Sequence, residues 1–394
     1  MLIYTEGIKS EHVYDLQNLV HTALQEQMTP GLAFMVFDLK QRKSLALYAG
    51  QSQRQDGFGI DQESYYDLAS LSKPFVTALW AWELIEQGVL EAQAPLHHYL
   101  NTHNTPLAQV GVIDLLRHSS GLPAHYTYYE DFAFQRMQGQ TPSTFQPLVQ
   151  DMILTTPLSY EPGSRSIYSD LGYLLLAWIC EKVSQKSLLE YANDRLSQLS
   201  QLDEWSWMPH LSTTCHMHFN PLEIESQTII NQRAYVPTEN CPWRKKLIQG
   251  EVHDDNAWLL GGVTGHAGLF ARLNDVALWS CHWIHAWHNR THCFPLSHQM
   301  VQQVCDLSLA APDSSYTWGW DTPSRYGYSS AGQSFGSCSV GHLGFTGTSI
   351  WMDLTAEVSM ILLSNRVYPH RNFSNKIRDF RPMIHDMAWK ILHT

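Results

Sequence analysis

The chain has 394 residues, 44% hydrophobic and 16% charged, which is enough apolar content for two or three domain-sized cores and too much for a disordered chain. Acidic residues outnumber basic ones by 37 to 25, and the resulting formal charge of −12 repels phosphate backbones and argues against a nucleic-acid partner. The most apolar run, Leu171–Cys180, is half the roughly 20 residues of a membrane helix, so no membrane span is expected.

Residues 1–10 lack the basic start and apolar centre of a signal peptide. The seven cysteines are odd in number and irregular in spacing, as expected of reduced thiols. Both features point to a soluble, cytoplasmic protein. Gly31–Leu39 and Ser44–Gly50 are strand-like runs joined by the polar bend Lys40–Lys43, which predicts an antiparallel hairpin. A helix is predicted from about Ser70 to Gln87, with Gly88 where a C-terminal stop belongs. The middle of the chain mixes helices with Pro- and Gly-rich loops, and Leu171–Lys182 and Asp275–Trp287 are its clearest helices. Strand character returns at Thr348–Leu354 and Val358–Ser364. A final amphipathic helix follows, carrying Ile377, Phe380, Ile384, Met387 and Ile391 at three- and four-residue spacing.

Strands at both ends with helices between them imply a layered α/β (α+β) fold. An antiparallel sheet is drawn from both termini and flanked by helices, and a mostly helical domain is inserted. The expected division is 1–72 with 290–394 for the sheet domain and 73–289 for the helical one, with the active site between them.

The sharpest local signal is Ser70-Leu-Ser-Lys73 at the opening of the first long helix. Residues three apart share a helical face, which sets the Lys73 amine beside the Ser70 hydroxyl. A serine is a poor nucleophile until a neighbouring base takes its proton. The positive end of the helix dipole disfavours the ammonium, nudging Lys73 toward that role. Pro74 costs little in a first turn. By itself the spacing is common by chance.

Further along stand Tyr168-Ser-Asp170, before an apolar helix, and Gly341-His-Leu-Gly-Phe-Thr-Gly-Thr348, before a strand. In this order the chain resembles the serine β-lactamase and penicillin-binding-protein superfamily, in its class C β-lactamase and esterase-like branch. Leu84–Leu90 and Ile113–Pro123 agree with that resemblance, which spans about residues 10–390. Tyr235–Glu239, Gly250–Ala257 and Gly261–Phe270 are similar to a bacterial cell-wall recycling subgroup. Its secreted members include an amidase that removes stem peptides from muramyl sugars.

The resemblance implies a β-lactamase/transpeptidase-like fold and a cofactor-free, metal-free serine hydrolase acting through an acyl-enzyme. Ser70 would be the nucleophile, with Lys73 and Tyr168 sharing proton transfer. The backbone N–H groups of Ser70 and Phe345 would form the oxyanion hole. His342 stands where many relatives carry lysine, and Leu343 and Gly344 would lie against substrate. A muropeptide amide is the favoured substrate. The alternatives are a small-ester hydrolase and a catalytically weak ligand sensor on the same fold.

Two departures from the family pattern matter. Asp170 replaces an asparagine, so it cannot donate to a substrate carbonyl when ionised, and beside Lys73 it would favour the ammonium. On that reading Lys73 is mainly a cationic partner and Tyr168 the working base. His342-Leu343-Gly344 replaces Lys-Thr/Ser-Gly, which removes a fixed charge and a hydroxyl that commonly hold a substrate carboxylate. Weak β-lactam hydrolysis is therefore expected.

Glu251, His253, Asp254 and His266 form a polar group among glycines that either lines a pocket and meets substrate or ties down a loop. Gly332-Gln-Ser-Phe-Gly336 matches a nucleophile elbow but lacks the flanking strand and helix. Cys215-His-Met-His218 has ligand-type residues without the following aspartate, and no His-Glu-x-x-His occurs. His282, His285 and His288 share a helical face and are expected at the surface.

Overall fold

The computed structural model describes residues 1–222, 234–324 and 326–394. A six-stranded antiparallel sheet is its centre. Its strands are β1 (Leu2–Glu6), β2 (Gly31–Asp38), β3 (Lys43–Gly50), β4 (Ser339–Leu343), β5 (Ser349–Asp353) and β6 (Val358–Ser364). Their order across the sheet is β1-β3-β2-β6-β5-β4, so strands from the two ends of the chain meet at the β2–β6 pair. The hairpin β2–β3 pairs Gly31 with Gly50 through to Asp38 with Lys43. The two central strands are buried along their whole length, which explains their unbroken runs of apolar residues.

The period-two alternation of β2 assigns its two faces. Leu32, Phe34 and Val36 join Leu45, Leu47, Met360 and Leu362 beneath two helices, α1 (Tyr14–Gln25) and the C-terminal helix Ile377–Leu392. Ala33, Met35 and Phe37 turn the other way, into the larger core shared with the helices of the chain's middle. Those helices include Leu79–Glu86 (α2), Asp170–Ser184 (α3) and Leu273–Trp287 (α4), which makes Ile377–Leu392 α5. Trp80, Trp82, Trp279, Trp283 and Trp320 are fully buried, and Trp279 and Trp283 stack with centroids 5.3 Å apart.

Several expectations change in detail. The first long helix is not α-helical at its start: Ala69–Leu71 is a 3₁₀ turn and Lys73–Ala78 a π-helical segment before α2, while Gly88 ends it with φ +71°. Strands β1 and β4 were not foreseen. The histidines of α4 are not at the surface: His282 and His285 are buried, and only His288 is half-exposed. Their rings satisfy groups inside the fold. His282 Nε2 bonds the Ser200 carbonyl at 2.9 Å, and Trp205 Nε1 donates to His285 Nε2 at 3.1 Å. His218 of the Cys215–His218 segment bonds the Tyr235 hydroxyl at 2.7 Å. Ser334 sits in a loop and donates to Asp386 at 2.9 Å, with no strand leading into it. All seven cysteines are free. No helix among the described residues is long and apolar enough to cross a membrane.

Candidate active site

Ser70 lies one residue after a backbone irregularity. Ala69 has φ +48°, a left-handed conformation that costs a non-glycine residue about 1–2 kcal/mol. Local bonds hold it there. The buried Asp67 carboxylate accepts from the Ala69 N–H (2.8 Å) and the His253 N–H (2.7 Å), and Ser72 Oγ donates to the Ala69 carbonyl at 2.7 Å. The turn between β4 and β5 is fastened to the same place. Thr346 Oγ1 donates to the Asp67 carbonyl at 2.7 Å, and Thr348 Oγ1 to the Leu68 carbonyl at 3.1 Å. Gly344 is required at this contact, because a Cβ there would lie 2.0 Å from Thr348 Oγ1 and 2.6 Å from the Leu68 carbonyl. These bonds bring the Ser70 and Phe345 segments together, although 275 residues separate them in sequence.

Lys73 is wholly buried, and its Nζ has three neighbours: Ser70 Oγ at 3.0 Å, Asp170 Oδ1 at 2.7 Å and the His266 carbonyl at 3.2 Å. A carboxylate and a carbonyl can only accept, so they claim two of the amine's hydrogens. The third position on nitrogen faces the serine. It holds an N–H in the ammonium and a lone pair in the neutral amine, and the lone pair can receive the Ser70 proton. Burial pushes the Lys73 amine below its ordinary value while Asp170 pulls it back. Burial works against ionising Asp170, yet Lys73 and His125 together hold its carboxyl well below the usual range.

Tyr168 lies over this pair, with Lys73 Nζ 4.7 Å from its ring centroid. Its hydroxyl is buried, with the Ser70 side chain as its polar neighbour. Burial, with the charge of Asp170, pushes the phenol well up, so it stays protonated. His342 is neutral too: burial, aided by the Lys73 charge, brings it down to about 3. Its Nδ1 donates to the Leu343 carbonyl at 2.9 Å, leaving Nε2 an acceptor without a partner among the described residues.

Ser70, Tyr168, Asp170, His342, Leu343, Gly344 and Phe345 all border one open cavity of about 870 Å³. His253 borders it as well, its ring stacked on Phe345 with centroids 5.8 Å apart. Glu251 does not, because it is turned away into ion pairs with Arg244 (3.1 Å) and Lys246 (2.5 Å). The His266 ring is likewise behind the wall, bonded to Asp254 at 3.0 Å, and that residue reaches the site through its carbonyl. Of the two readings of this polar group, His253 and Asp254 fit the pocket lining, whereas Glu251 and His266, named as candidate substrate contacts, fit the tied-down loop.

Sequence reasoning missed four participants. His118, with φ +57°, accepts from the Ser169 N–H at 3.1 Å and lies against the Tyr168 ring at 4.4 Å. His125 Nδ1 lies 3.4 Å from Asp170 Oδ2, and its pKa is raised chiefly by that contact. Asp67 and Thr346 complete the set. The Ser119-Ser-Gly-Leu-Pro123 stretch was the available signal for the two histidines flanking it. Thr346 lies within the Gly341–Thr348 motif, which was the signal for it, and nothing local in the sequence marks Asp67.

The family model described as beta-lactamase matches residues 16–380. The N-acetylmuramyl-L-alanine amidase of Bacillus subtilis (strain 168) is 28% identical over 333 residues, covering 81% of this chain and 72% of that protein. Among solved structures, the octameric penicillin-binding protein homologue from Pyrococcus abyssi is similar with a TM-score of 0.67 and 21% identity. That match covers 97% of this chain and 77% of the other. EstCE1, a hydrolase with promiscuous acyltransferase activity, is similar with a TM-score of 0.66 and 16% identity over 94% and 98% of the two chains.

Proposed function

This chain belongs to the beta-lactamase family, and from that premise we propose that it is a serine amidase acting on peptidoglycan-derived muropeptides through an acyl-enzyme at Ser70. One observation carries the reading: the three-way contact of Lys73 Nζ with Ser70 Oγ, Asp170 Oδ1 and the His266 carbonyl at the edge of the cavity. The amidase named among its relatives supports the substrate class.

In the proposed cycle the neutral Lys73 amine takes the Ser70 proton as Oγ attacks the amide carbonyl. Asp170 stabilises the ammonium that forms, much as a carboxylate steadies a catalytic histidine. The N–H groups of Ser70 and Phe345 receive the developing oxyanion. Lys73 passes the proton on through the Tyr168 hydroxyl to the leaving nitrogen, the amine departs, and water repeats the sequence in reverse roles on the ester. Tyr168 is then a proton donor and relay, because a phenol held so far above its ordinary value is a poor resting base. This exchanges the roles expected from the sequence for Lys73 and Tyr168.

The test is mass spectrometry of the protein after incubation with a muropeptide mixture, with p-nitrophenyl esters and with a fluorophosphonate probe. Ser70 should carry the probe, Ser70→Ala should not, and muropeptide amides should be turned over. Turnover of esters alone would favour the small-ester hydrolase, and an unlabelled Ser70 would favour the ligand sensor. The cytoplasm is the proposed location.

A further inference from the structure

The cavity wall formed by β6's continuation and α5 carries three arginines, Arg366, Arg378 and Arg381. Arg366 and Arg381 are both more than nine-tenths buried. Neither has a carboxylate partner among the described residues, and the same is true of the more exposed Arg378. Arg366 donates from Nε to the Phe345 carbonyl (2.9 Å) and from Nη1 to the Arg371 carbonyl (3.3 Å), and its guanidinium lies 4.5 Å over the Phe345 ring. Arg381 Nη2 reaches the Gly344 and Thr348 carbonyls at 3.3 and 3.1 Å, while its buried Nε has no partner. Arg378, one turn away on the same helix face, stacks 4.6 Å over Tyr328.

By contrast Arg371, which borders the same cavity, is fully engaged by Glu239 at 2.6 Å and Asp255 at 2.8 Å. Buried arginines elsewhere are also neutralised, Arg244 by Asp255 and Arg272 by Asp275. Arg366 and Arg381 are close enough to repel each other. Burial takes Arg381 down to about 10 and lowers Arg366 too. Two desolvated like charges without a counter-ion are costly. A ligand anion removes that cost.

We propose that Arg366, Arg378 and Arg381 form an anion subsite of the cavity that holds a carboxylate of an acidic peptide substrate away from the scissile bond. This rests on, and deepens, the hydrolase reading. The planar guanidinium forks match a carboxylate. The subsite relocates the anionic anchor that His342-Leu343 no longer supplies beside the nucleophile.

The experiment measures peptide binding by calorimetry to the full-length Ser70→Ala protein. It uses tripeptide amides with Glu or Gln placed at each position in turn, and inorganic phosphate alone. For one position the Glu peptide should bind about tenfold more tightly than its Gln counterpart at low ionic strength, and 0.5 M salt should erode the preference. Arg378→Glu changes only the exposed member and should abolish or reverse it. Equal binding of both peptides at every position, or an unchanged ratio in Arg378→Glu, overturns the subsite. Phosphate binding more tightly than every Glu peptide overturns the acidic-peptide assignment. Turnover by the unaltered protein is read separately. Hydrolysis without Glu preference sinks the subsite alone, and Glu preference without hydrolysis sinks the hydrolase reading alone.

Discussion

Asp170 is the residue whose identity changes the chemistry most. It touches Lys73 at 2.7 Å and His125 at 3.4 Å, so one carboxylate sets the basicity of the amine that faces the nucleophile. Asp170→Asn should lower kcat by about 10²–10⁴-fold, because the ammonium formed during attack loses its counter-charge. It should also move the acid limb of the kcat/KM profile to lower pH, since Asp170 raises the Lys73 pKa and its removal frees the amine at lower pH. An acid limb that stays in place would show that Lys73 is not the titrating base. His342 leads to a second expectation. A ring held at about 3 carries no charge at any working pH, so cephalosporin turnover should be slow, and it should gain about tenfold in His342→Lys, which restores a cation worth about one strong charge-assisted bond. Fast nitrocefin hydrolysis by the unaltered protein would contradict this. That Ser70, Lys73, Tyr168 and Phe345 gather at one place was legible, because short motifs report the groups they contain. The burial on which the proposed proton-transfer roles rest was not, because no spacing along a chain records how much water surrounds a phenol.

At the scale of elements, the nucleophile turn and the β4–β5 turn act as one piece. Thr346 and Thr348 bond the carbonyls of Asp67 and Leu68, and Gly344 leaves room for them. Gly344→Ala should displace the Phe345 N–H and cost about 10²-fold or more in kcat, the usual effect of losing one oxyanion donor. Steady-state kinetics on any substrate turned over will read this, and a variant with full kcat would remove Phe345 from the oxyanion hole. The strands and helices with strong periodicity were legible in sequence: β6 runs over the expected Val358–Ser364, and α3 covers Leu171–Lys182. The 3₁₀ and π windings around Ser70 were not. They accompany the left-handed Ala69, which Asp67 and Ser72 hold by local bonds, and the tertiary part, the His253 N–H donated to the same Asp67 carboxylate, comes from 186 residues away. The buried histidines of α4 were misread for a related reason, since a polar ring beside tryptophans looks superficial until its partners, such as the Ser200 carbonyl, are in place.

For the whole molecule, buried histidines govern the response to acid. His282 and His385 are lowered to about 4 and His342 to about 3, all chiefly by burial. The unfolded chain protonates these rings near pH 6.5, whereas the folded chain does not until far lower, so stability falls as pH drops from 6.5 toward 4. Each ring contributes a slope of about 1.4 kcal/mol per pH unit. Asp321, raised by burial to about 6, takes up its proton in the folded state first and offsets about one of them. The melting temperature should therefore decline steadily between pH 6.5 and 5, and a Tm that stays level or climbs over that interval would refute the balance drawn here. The pairing of β2 with β6 has a consequence for synthesis. The partner of β2 is roughly 320 residues downstream, so a chain leaving the ribosome carries the finished β2–β3 hairpin with one bare edge through most of translation. That edge invites chaperones or aggregation, and slowing elongation before residue 358 should lower the yield of native protein rather than raise it.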